Sequence, residues 1–155
     1  MHTVIERVSL GSPAVQAMIA RLDAELIEGT PVGGTNFMHL AEEHVEEGGG
    51  MFVAYVDGVA CAMGAYRRID DVPGAAEVKR MWADPKLRGQ KLGKQILATI
   101  EAAARADGFT ELRLETGEHL VAAVGLYRSF GFDECPQWGE YVGVPLSYCM
   151  SKRLV

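Results

Sequence analysis

A short basic segment between a predicted strand and a predicted helix carries the side chains best suited to bind an anion. It runs from Asp84 to Lys94 and follows the predicted strand that ends with Glu77 to Ala83. The first amides of a helix have no partner within the helix, and the helix dipole adds partial positive charge there. A phosphate would satisfy these amides, and Gly89 and Gly93 would let it approach the backbone closely. Three basic residues add full charges to the same turn: Arg88, Lys91 and Lys94. The alternative is an ordinary loop with solvated basic side chains.

The elements that must position this segment follow from apolar periodicity, which predicts the order β-α-α-β-β-β-α-β-α-β-β. The predicted strands are Thr3–Leu10, Met51–Val56, Val59–Ile69, Ala75–Ala83, Thr110–Glu115, Phe132–Cys135 and Leu146–Lys152. The predicted helices begin at Ser12-Pro13, Phe37, Leu92 and Glu118, and they end near Gly29, Gly48, Asp107-Gly108 and Gly131. Asp57-Gly58 predicts a tight hairpin turn. Antiparallel strands followed by strand-helix-strand units predict an α/β fold with a mixed sheet and helices on both faces.

Composition narrows the classes of protein that need to be considered. The 155 residues favour a single domain spanning 1–155, with 48% hydrophobic and 23% charged residues. A net charge of −6 argues against a nucleic-acid partner or an acidic membrane, and it permits a cationic substrate. No apolar run is long enough to span a membrane, and the N-terminus lacks the layout of a signal peptide. We therefore expect a cytoplasmic protein.

The cysteines and histidines do not indicate a metal site. Cys61, Cys135 and Cys149 are odd in number and form no CxxC pair, so we expect buried free thiols in a reducing compartment. The four histidines lack the spacing of metal ligands, and we expect no metal. The sequence also lacks GxGxxG after the first strand, GxxxxGK[ST] and GxSxG. Those absences argue against a Rossmann enzyme, a P-loop NTPase and a serine hydrolase.

Three segments in this order are similar to motifs of one enzyme family. Arg88-Gly89-Gln90-Lys91-Leu92-Gly93 is similar to a pyrophosphate-binding motif, Arg/Gln-x-x-Gly-x-Gly/Ala. Glu77 to Pro85 resembles the strand that leads into that motif, and Leu126 to Phe132 resembles a Leu-Tyr-x-x-x-Gly-Phe segment. Together they resemble the GNAT family of N-acetyltransferases, over essentially the whole chain. Lys91 departs from the family, which usually has glycine at that position.

The resemblance implies acetyl-CoA as co-substrate, held in a gap between the strands Ala75–Ala83 and Thr110–Glu115. It implies that the backbone of Met81, Trp82 and Ala83 pairs with the pantetheine arm as an added strand would. An amide near Trp82 would polarise the thioester carbonyl. The pyrophosphate would lie on the amides of the basic segment, formed by Arg88, Gly89, Gln90, Lys91, Leu92, Gly93 and Lys94.

The resemblance also implies acid and base residues. An amine acceptor must lose a proton before it attacks, since an alkylammonium has a pKa near ~10.4. Glu77 matches the position of the general base in some members, and Glu115, at the end of the other strand, is the second candidate. Tyr127 matches the tyrosine that protonates the leaving thiolate. The alternatives are a Glu77 paired with Lys79 or Arg113, and a Tyr127 that only packs in the core.

The acceptor is marked less clearly. Glu140 and Tyr141 offer a carboxylate and a ring suited to an ammonium group, and Arg80 suits a carboxylate. Segment 37–44, Arg67 and Trp138 are further contributors. We therefore expect a small-molecule amine or amino acid, with protein amino groups as an alternative acceptor. A non-catalytic acyl-CoA sensor is the alternative outside enzymes, and the resemblance implies a homodimer.

Overall fold

The computed structural model describes residues 2–29 and 48–154. The strands are β1 (Thr3–Val8), β2 (Gly49–Val56), β3 (Val59–Arg68), β4 (Ala75–Ala83), β5 (Glu111–Gly117), β6 (Asp133–Glu134) and β7 (Ser147–Arg153). The helices are α1 (Pro13–Gly29), α2 (Leu92–Ala106) and α3 (Val121–Ser129), with short 3-10 turns at Pro85–Gln90 and Gly139–Tyr141. The helix expected from Phe37 lies outside the described residues.

The strands form one mixed sheet in the order β1-β2-β3-β4-β5-β7-β6. All neighbouring strands are antiparallel except β4 and β5, which are parallel. The hairpin expected at Asp57-Gly58 is confirmed, because both residues have positive φ (49° and 84°) and Val56 pairs with Val59.

Helices cover both faces of this sheet, as the element order predicts. Along β2, Phe52 and Ala54 face α2, whereas Met51 and Val53 face α1. The α2 side is filled by Leu92, Ile96, Leu97, Ile100 and Ala104, and the α1 side by Val15, Met18 and Leu22. The alternation of apolar residues therefore packs each face against a different helix.

The ends of α1 and α2 follow local signals in the sequence. The Ser12 hydroxyl accepts a hydrogen bond from the Val15 amide (3.3 Å), and Pro13 is the first helical residue. Asp107 ends α2, and Gly108 follows with a φ of 92°. Asp107 also accepts a 2.6 Å hydrogen bond from Tyr66, which in turn accepts one from Arg7 (3.0 Å), and these contacts fasten α2 to the sheet.

Three expectations differ in detail from the structure. Gly49 and Gly50 belong to β2 rather than to a helix end, and a side chain on Gly50 would collide with the Arg7 guanidinium, since its Cβ would lie 2.3 Å from Nη2. The last helix begins at Val121 and not at Glu118, because Leu120 donates to the Gly117 carbonyl and closes a turn there. Cys61 and Cys149 are buried free thiols as expected, whereas the free Cys135 is half-buried.

The parallel strands β4 and β5 separate after a short paired stretch. Ala75, Ala76 and Glu77 pair with Glu111, Leu112 and Arg113, and there the pairing ends. Beyond Glu77, β4 keeps its pairing with β3, and β5 keeps its pairing with β7 as far as Gly117. A gap therefore opens inside a continuous sheet, with Glu77 at its vertex.

Candidate active site

A cavity of about 780 Å³ occupies the gap between the separated strands. Its wall includes residues of β4 and β5, the start of α2, most of α3 and Leu22 of α1. Eleven of the expected site residues lie on it: Glu77, Arg80, Met81, Trp82, Ala83, Lys91, Gly93, Lys94, Glu115, Tyr127 and Tyr141. Glu140 is exposed, Leu92 is buried in the core, and Arg88, Gly89 and Gln90 lie in the 3-10 turn before α2.

Glu77 is the one charged residue that is fully buried (1% exposed) in the part of the chain that the structure describes. Its Oε1 lies 3.1 Å from Arg67 Nε, and its Oε2 accepts a 2.5 Å hydrogen bond from the Tyr141 hydroxyl. Lys79 Nζ lies 3.8 Å from the same Oε2, so one of the two expected partners is found. The expected partner Arg113 instead pairs with Glu111 (3.2 Å) and covers the ring of Trp138. Both oxygens of Glu77 are therefore already engaged.

Glu115 lies half-buried on the opposite side of the gap. Its Oε2 accepts a 2.6 Å hydrogen bond from the Ser147 hydroxyl at the start of β7. Burial raises the pKa of Glu115, and the nearby charge of Glu77 raises it further, while Ser147 and Lys79 act in the opposite direction. A carboxyl group whose pKa is shifted toward neutrality is suited to accept a proton from an amine.

Tyr127 lies on α3 with its ring edge-on to Phe132, at 5.9 Å between centroids. Burial raises the pKa of its phenol, without a hydrogen-bonding or charged partner among the described residues. The hydroxyl is therefore protonated at physiological pH, and its proton is not donated to any residue that the structure describes. It can donate to an atom that enters the cavity.

A β-bulge interrupts β4 beside the cavity. Met63 pairs with Trp82 and Ala65 pairs with Lys79, so β4 holds one more residue than β3 over this stretch. Arg80 has a φ of 57°, and its Nη1 lies 2.7 Å from Asp23 Oδ1 on α1. An acceptor carboxylate at Arg80 would have to compete with Asp23.

The start of α2 lies beside the cavity, where Lys91, Gly93 and Lys94 form part of the wall. The first i→i−4 bond runs from the Gln95 amide to the Lys91 carbonyl, which leaves the amides of Leu92 to Lys94 without partners inside the helix. Lys91 has φ 58° and ψ 32°, a left-handed conformation that favours glycine. This conformation explains why glycine suits the position, and here a lysine occupies it. Gly93 is close to α3, since a Cβ there would lie 3.0 Å from Leu126 Cδ2.

Three features of the site were not expected from the sequence. Asp23 pairs with Arg80, Ser147 donates to Glu115, and Lys79 forms part of the cavity wall. Strand alternation could have found Lys79, because Glu77 and Lys79 must share one face of β4. Asp23 and Ser147 reach the site through long-range packing, for which the sequence carries no local signal. Within the described ranges, no group of three His, Cys, Asp or Glu residues could hold a metal ion, and no helix is long and apolar enough to cross a membrane.

Comparison with known proteins identifies the architecture. The sequence profile of the Acetyltransferase (GNAT) family matches residues 16–132. The chain belongs to this family. This GNAT protein is accordingly an acyltransferase dependent on acetyl-CoA. The prediction of an enzyme is thus confirmed over that of a non-catalytic acyl-CoA sensor.

Individual relatives extend over the full chain. An IAA acetyltransferase of Azospirillum brasilense is 35% identical over 156 residues, covering 99% of both chains. A solved structure from Klebsiella pneumoniae, provisionally assigned as an acyl-CoA N-acyltransferase, is 31% identical with a TM-score of 0.83, covering 99% and 98% of the chains. A PaiA N-acetyltransferase of Thermoplasma acidophilum, solved with coenzyme A, has the same fold at 18% identity (TM-score 0.70, 99% of both chains).

Proposed function

We propose that this GNAT enzyme transfers the acetyl group of acetyl-CoA directly to the primary amine of a small molecule. The observation that carries the proposal is the unpaired stretch between β4 and β5, which brings two carboxylates and a tyrosine hydroxyl onto one cavity. The first residues of α2, whose amides have no partner inside the helix, include Gly93 and Lys94 of the same wall. One cavity thus supplies an anion site, a backbone edge and acid-base groups.

Acetyl-CoA would enter with its pyrophosphate on the α2 amides. Lys91 and Lys94 add positive charge there, and Arg88, Gly89 and Gln90 precede them in the 3-10 turn. The pantetheine arm would then run along Met81 to Ala83, where β4 has no partner on the β5 side. An amide of β4 near Trp82 would polarise the thioester carbonyl. A coenzyme A complex of the Thermoplasma neighbour supports this choice of ligand.

The acid-base groups would act from the two sides of the gap. A carboxylate takes a proton from the acceptor ammonium, and the neutral amine attacks the thioester carbon. The C–N bond forms, the C–S bond breaks, and the departing thiolate takes the proton of Tyr127. The attacking nitrogen loses its second proton, which restores the Tyr127 hydroxyl by way of solvent. Of the two carboxylates, Glu115 suits the base better, because Glu77 already holds Arg67 and Tyr141.

Thermal unfolding with acetyl-CoA, and with NAD as a control, tests the cofactor site. Ligand at about 100 times its Kd should stabilise the fold by roughly 2.7 kcal/mol, a rise in Tm of a few degrees. Thiol release across a panel of amines then tests the reaction. The panel would also include protein amino groups and IAA, which the name of the Azospirillum relative contains. No Tm shift at millimolar acetyl-CoA would overturn the proposed cofactor site. A cytoplasmic location and a homodimer remain predictions, which fractionation and light scattering would check.

A further inference from the structure

We propose that Lys79 is the residue that binds a carboxylate on the acceptor, so that the acceptor is an amino acid and not a simple amine. The inference rests on the proposed acetyl transfer, and it names the acceptor class of the same cavity. Arg80, the residue expected for this role from the sequence, is held by Asp23 at 2.7 Å. Lys79 lies one residue before it in β4 and lies on the cavity wall.

Among the described residues, Lys79 has no ion pair within 4 Å that it does not share with another cation. Arg67 and Lys79 share the single carboxylate of Glu77, and Arg67 is much the closer at 3.1 Å against 3.8 Å. Glu115 and Glu140 also interact electrostatically with Lys79. Among the described residues, however, neither carboxylate forms an ion pair with Lys79 within 4 Å. A buried charge with incomplete pairing is costly, and a ligand carboxylate would complete it.

The Lys79 ammonium group also has hydrogen-bond donors that are not used by the described residues. The Lys79 side chain is only 8% exposed, so water can satisfy little of it. Among the described residues, its contact within hydrogen-bonding range is the Tyr141 hydroxyl at 3.4 Å, while Glu77 Oε2 lies beyond that range. An ammonium group has three donors, so capacity for a bound carboxylate remains. The Tyr141 hydroxyl donates its proton to Glu77. The same hydroxyl oxygen can therefore accept the hydrogen bond from Lys79 through a lone pair.

The position of Lys79 also fits a molecule with two opposite charges. Val78 and Leu114 pack in the α2-side core, so their neighbours Lys79 and Glu115 lie on the other face of the sheet. They belong to the strand segments that diverge after Glu77, and thus lie on opposite sides of one gap. A carboxylate at Lys79 would leave the amine of the same molecule near Glu115, which the proposed reaction uses as base.

The test compares acceptor pairs that differ only in charge at the carboxyl end. We would measure kcat/KM for α-, β- and γ-amino acids and for their primary amides, by thiol release with saturating acetyl-CoA. In the wild-type enzyme, kcat/KM should be higher for at least one acid than for its amide by ~10-fold or more. The amine of an amide is less basic and more of it is neutral, so this effect works against the expected preference. Lys79→Met should remove the preference by lowering kcat/KM for the acid alone, and Lys79→Arg should retain part of it. Lys86→Met, which changes an exposed lysine away from the cavity wall, should leave the ratio unchanged.

The outcomes separate this proposal from the acetyl transfer itself. If amines are acetylated but no acid is preferred over its amide in wild type, the proposal is wrong and the transfer reaction stands. If Lys79→Met lowers acid and amide equally while the variant keeps the acetyl-CoA Tm shift, Lys79 is only structural. If no amine is acetylated although acetyl-CoA raises Tm, the proposed reaction fails. The wild-type comparison needs no variant, so a Lys79→Met protein that does not fold leaves the test intact.

Discussion

The hydroxyl of Tyr141 donates a 2.5 Å hydrogen bond to Oε2 of Glu77, which lies 64 residues earlier in the chain. Glu77 is the last residue of β4 that pairs with β5, and Tyr141 lies in the loop between β6 and β7. Burial and the Glu77 charge raise the pKa of Tyr141, so the phenol remains the donor. The contact ties the late loop to the vertex of the gap.

Replacing Tyr141 with Phe should therefore cost more than its small chemical change suggests. Loss of a buried hydrogen bond to a charged group should lower the free energy of unfolding by ~1.5–3 kcal/mol, measured by urea titration. Tyr55→Phe is the matched control, because Tyr55 packs against the α1-side core without taking part in this contact. Equal stability of the two variants would mean that the Glu77 contact contributes nothing.

Tyr127→Phe should give the opposite result, a stable protein with low activity. Its hydroxyl has no partner among the described residues to lose, so Tm should change by no more than a degree or so, whereas kcat should fall by ~100-fold or more. The KM for acetyl-CoA should stay close to that of wild type. A variant with full kcat would show that Tyr127 only packs in the core.

The two carboxylates should respond differently to replacement by Gln. Because burial raises the pKa of Glu115, its ionisation should shape the rise of kcat/KM with pH, and Glu115→Gln should remove that part of the profile. The raised pKa favours folding below the ordinary pKa of glutamate, and this contribution is lost as pH rises through the folded-state value. Glu115→Gln should therefore be neutral or stabilising at pH 8.

Glu77→Gln should instead destabilise the fold. It removes the carboxylate that the largely buried cations of Arg67 and Lys79 share, so we expect a loss of ~3–5 kcal/mol in the free energy of unfolding. If Glu77→Gln is stable and abolishes the pH dependence of the rate while Glu115→Gln does not, the base is Glu77. Denaturant titrations and pH–rate profiles of both variants decide between them.

Lys91 allows backbone strain and charge to be separated. Glycine at this left-handed position should relieve ~1 kcal/mol of strain, and Lys91→Asn should relieve part of it, since asparagine tolerates this conformation. Lys91→Ala removes the same charge but keeps the strain. If the KM for acetyl-CoA rises equally in all three variants, the charge binds the pyrophosphate. If the KM is unchanged in Lys91→Ala and falls in the glycine and asparagine variants, the backbone conformation is what matters.

Alkaline pH should weaken the attachment of α2 to the sheet. Burial and the hydrogen bond to Asp107 raise the pKa of Tyr66 to about 12 from its ordinary 10.0. The raised pKa favours folding below pH 10, and this contribution is lost as pH rises to about 12. Tyr66→Phe should therefore reduce the fall in stability over this range, although Cys149, whose pKa is also raised to about 12, contributes too. An unchanged slope in Tyr66→Phe would contradict this account.

Local signals in the sequence were sufficient for most of the fold. The bounds of β4 at Ala75 and Ala83, the hairpin at Asp57-Gly58 and the N-cap at Ser12 follow from periodicity, turn chemistry and capping. These features depend on neighbours within a few residues, and the same is true of the basic segment before α2. The resemblance supplied the gap, which periodicity alone does not predict.

The charge pairing in the site could not be predicted in the same way. Glu77 has Arg67 and Tyr141 as partners because β3 and the late loop converge on it, and Arg113 turns toward Trp138 although it lies directly opposite in the register. The bulge at Arg80 likewise depends on β3, where Gly64 has no room for a side chain: a Cβ there would lie 2.5 Å from Ile96 Cγ2 and from Met81 Sδ. Partners chosen by packing across strands leave no pattern in a single segment.

The short pairing between β4 and β5 also makes the sheet resemble two plates joined by a hinge. One plate holds β1 to β4 and the other holds β5 to β7, and three residue pairs, ending at Glu77 and Arg113, form the joint. A small rotation about such a joint moves the far ends of the strands more than the near ends. Ala83 and Gly117 would thus move most and the ion cluster at Glu77 least. Such a rotation would widen the end where we place the pantetheine arm and the pyrophosphate of acetyl-CoA, and it would leave the charges around Glu77 in place.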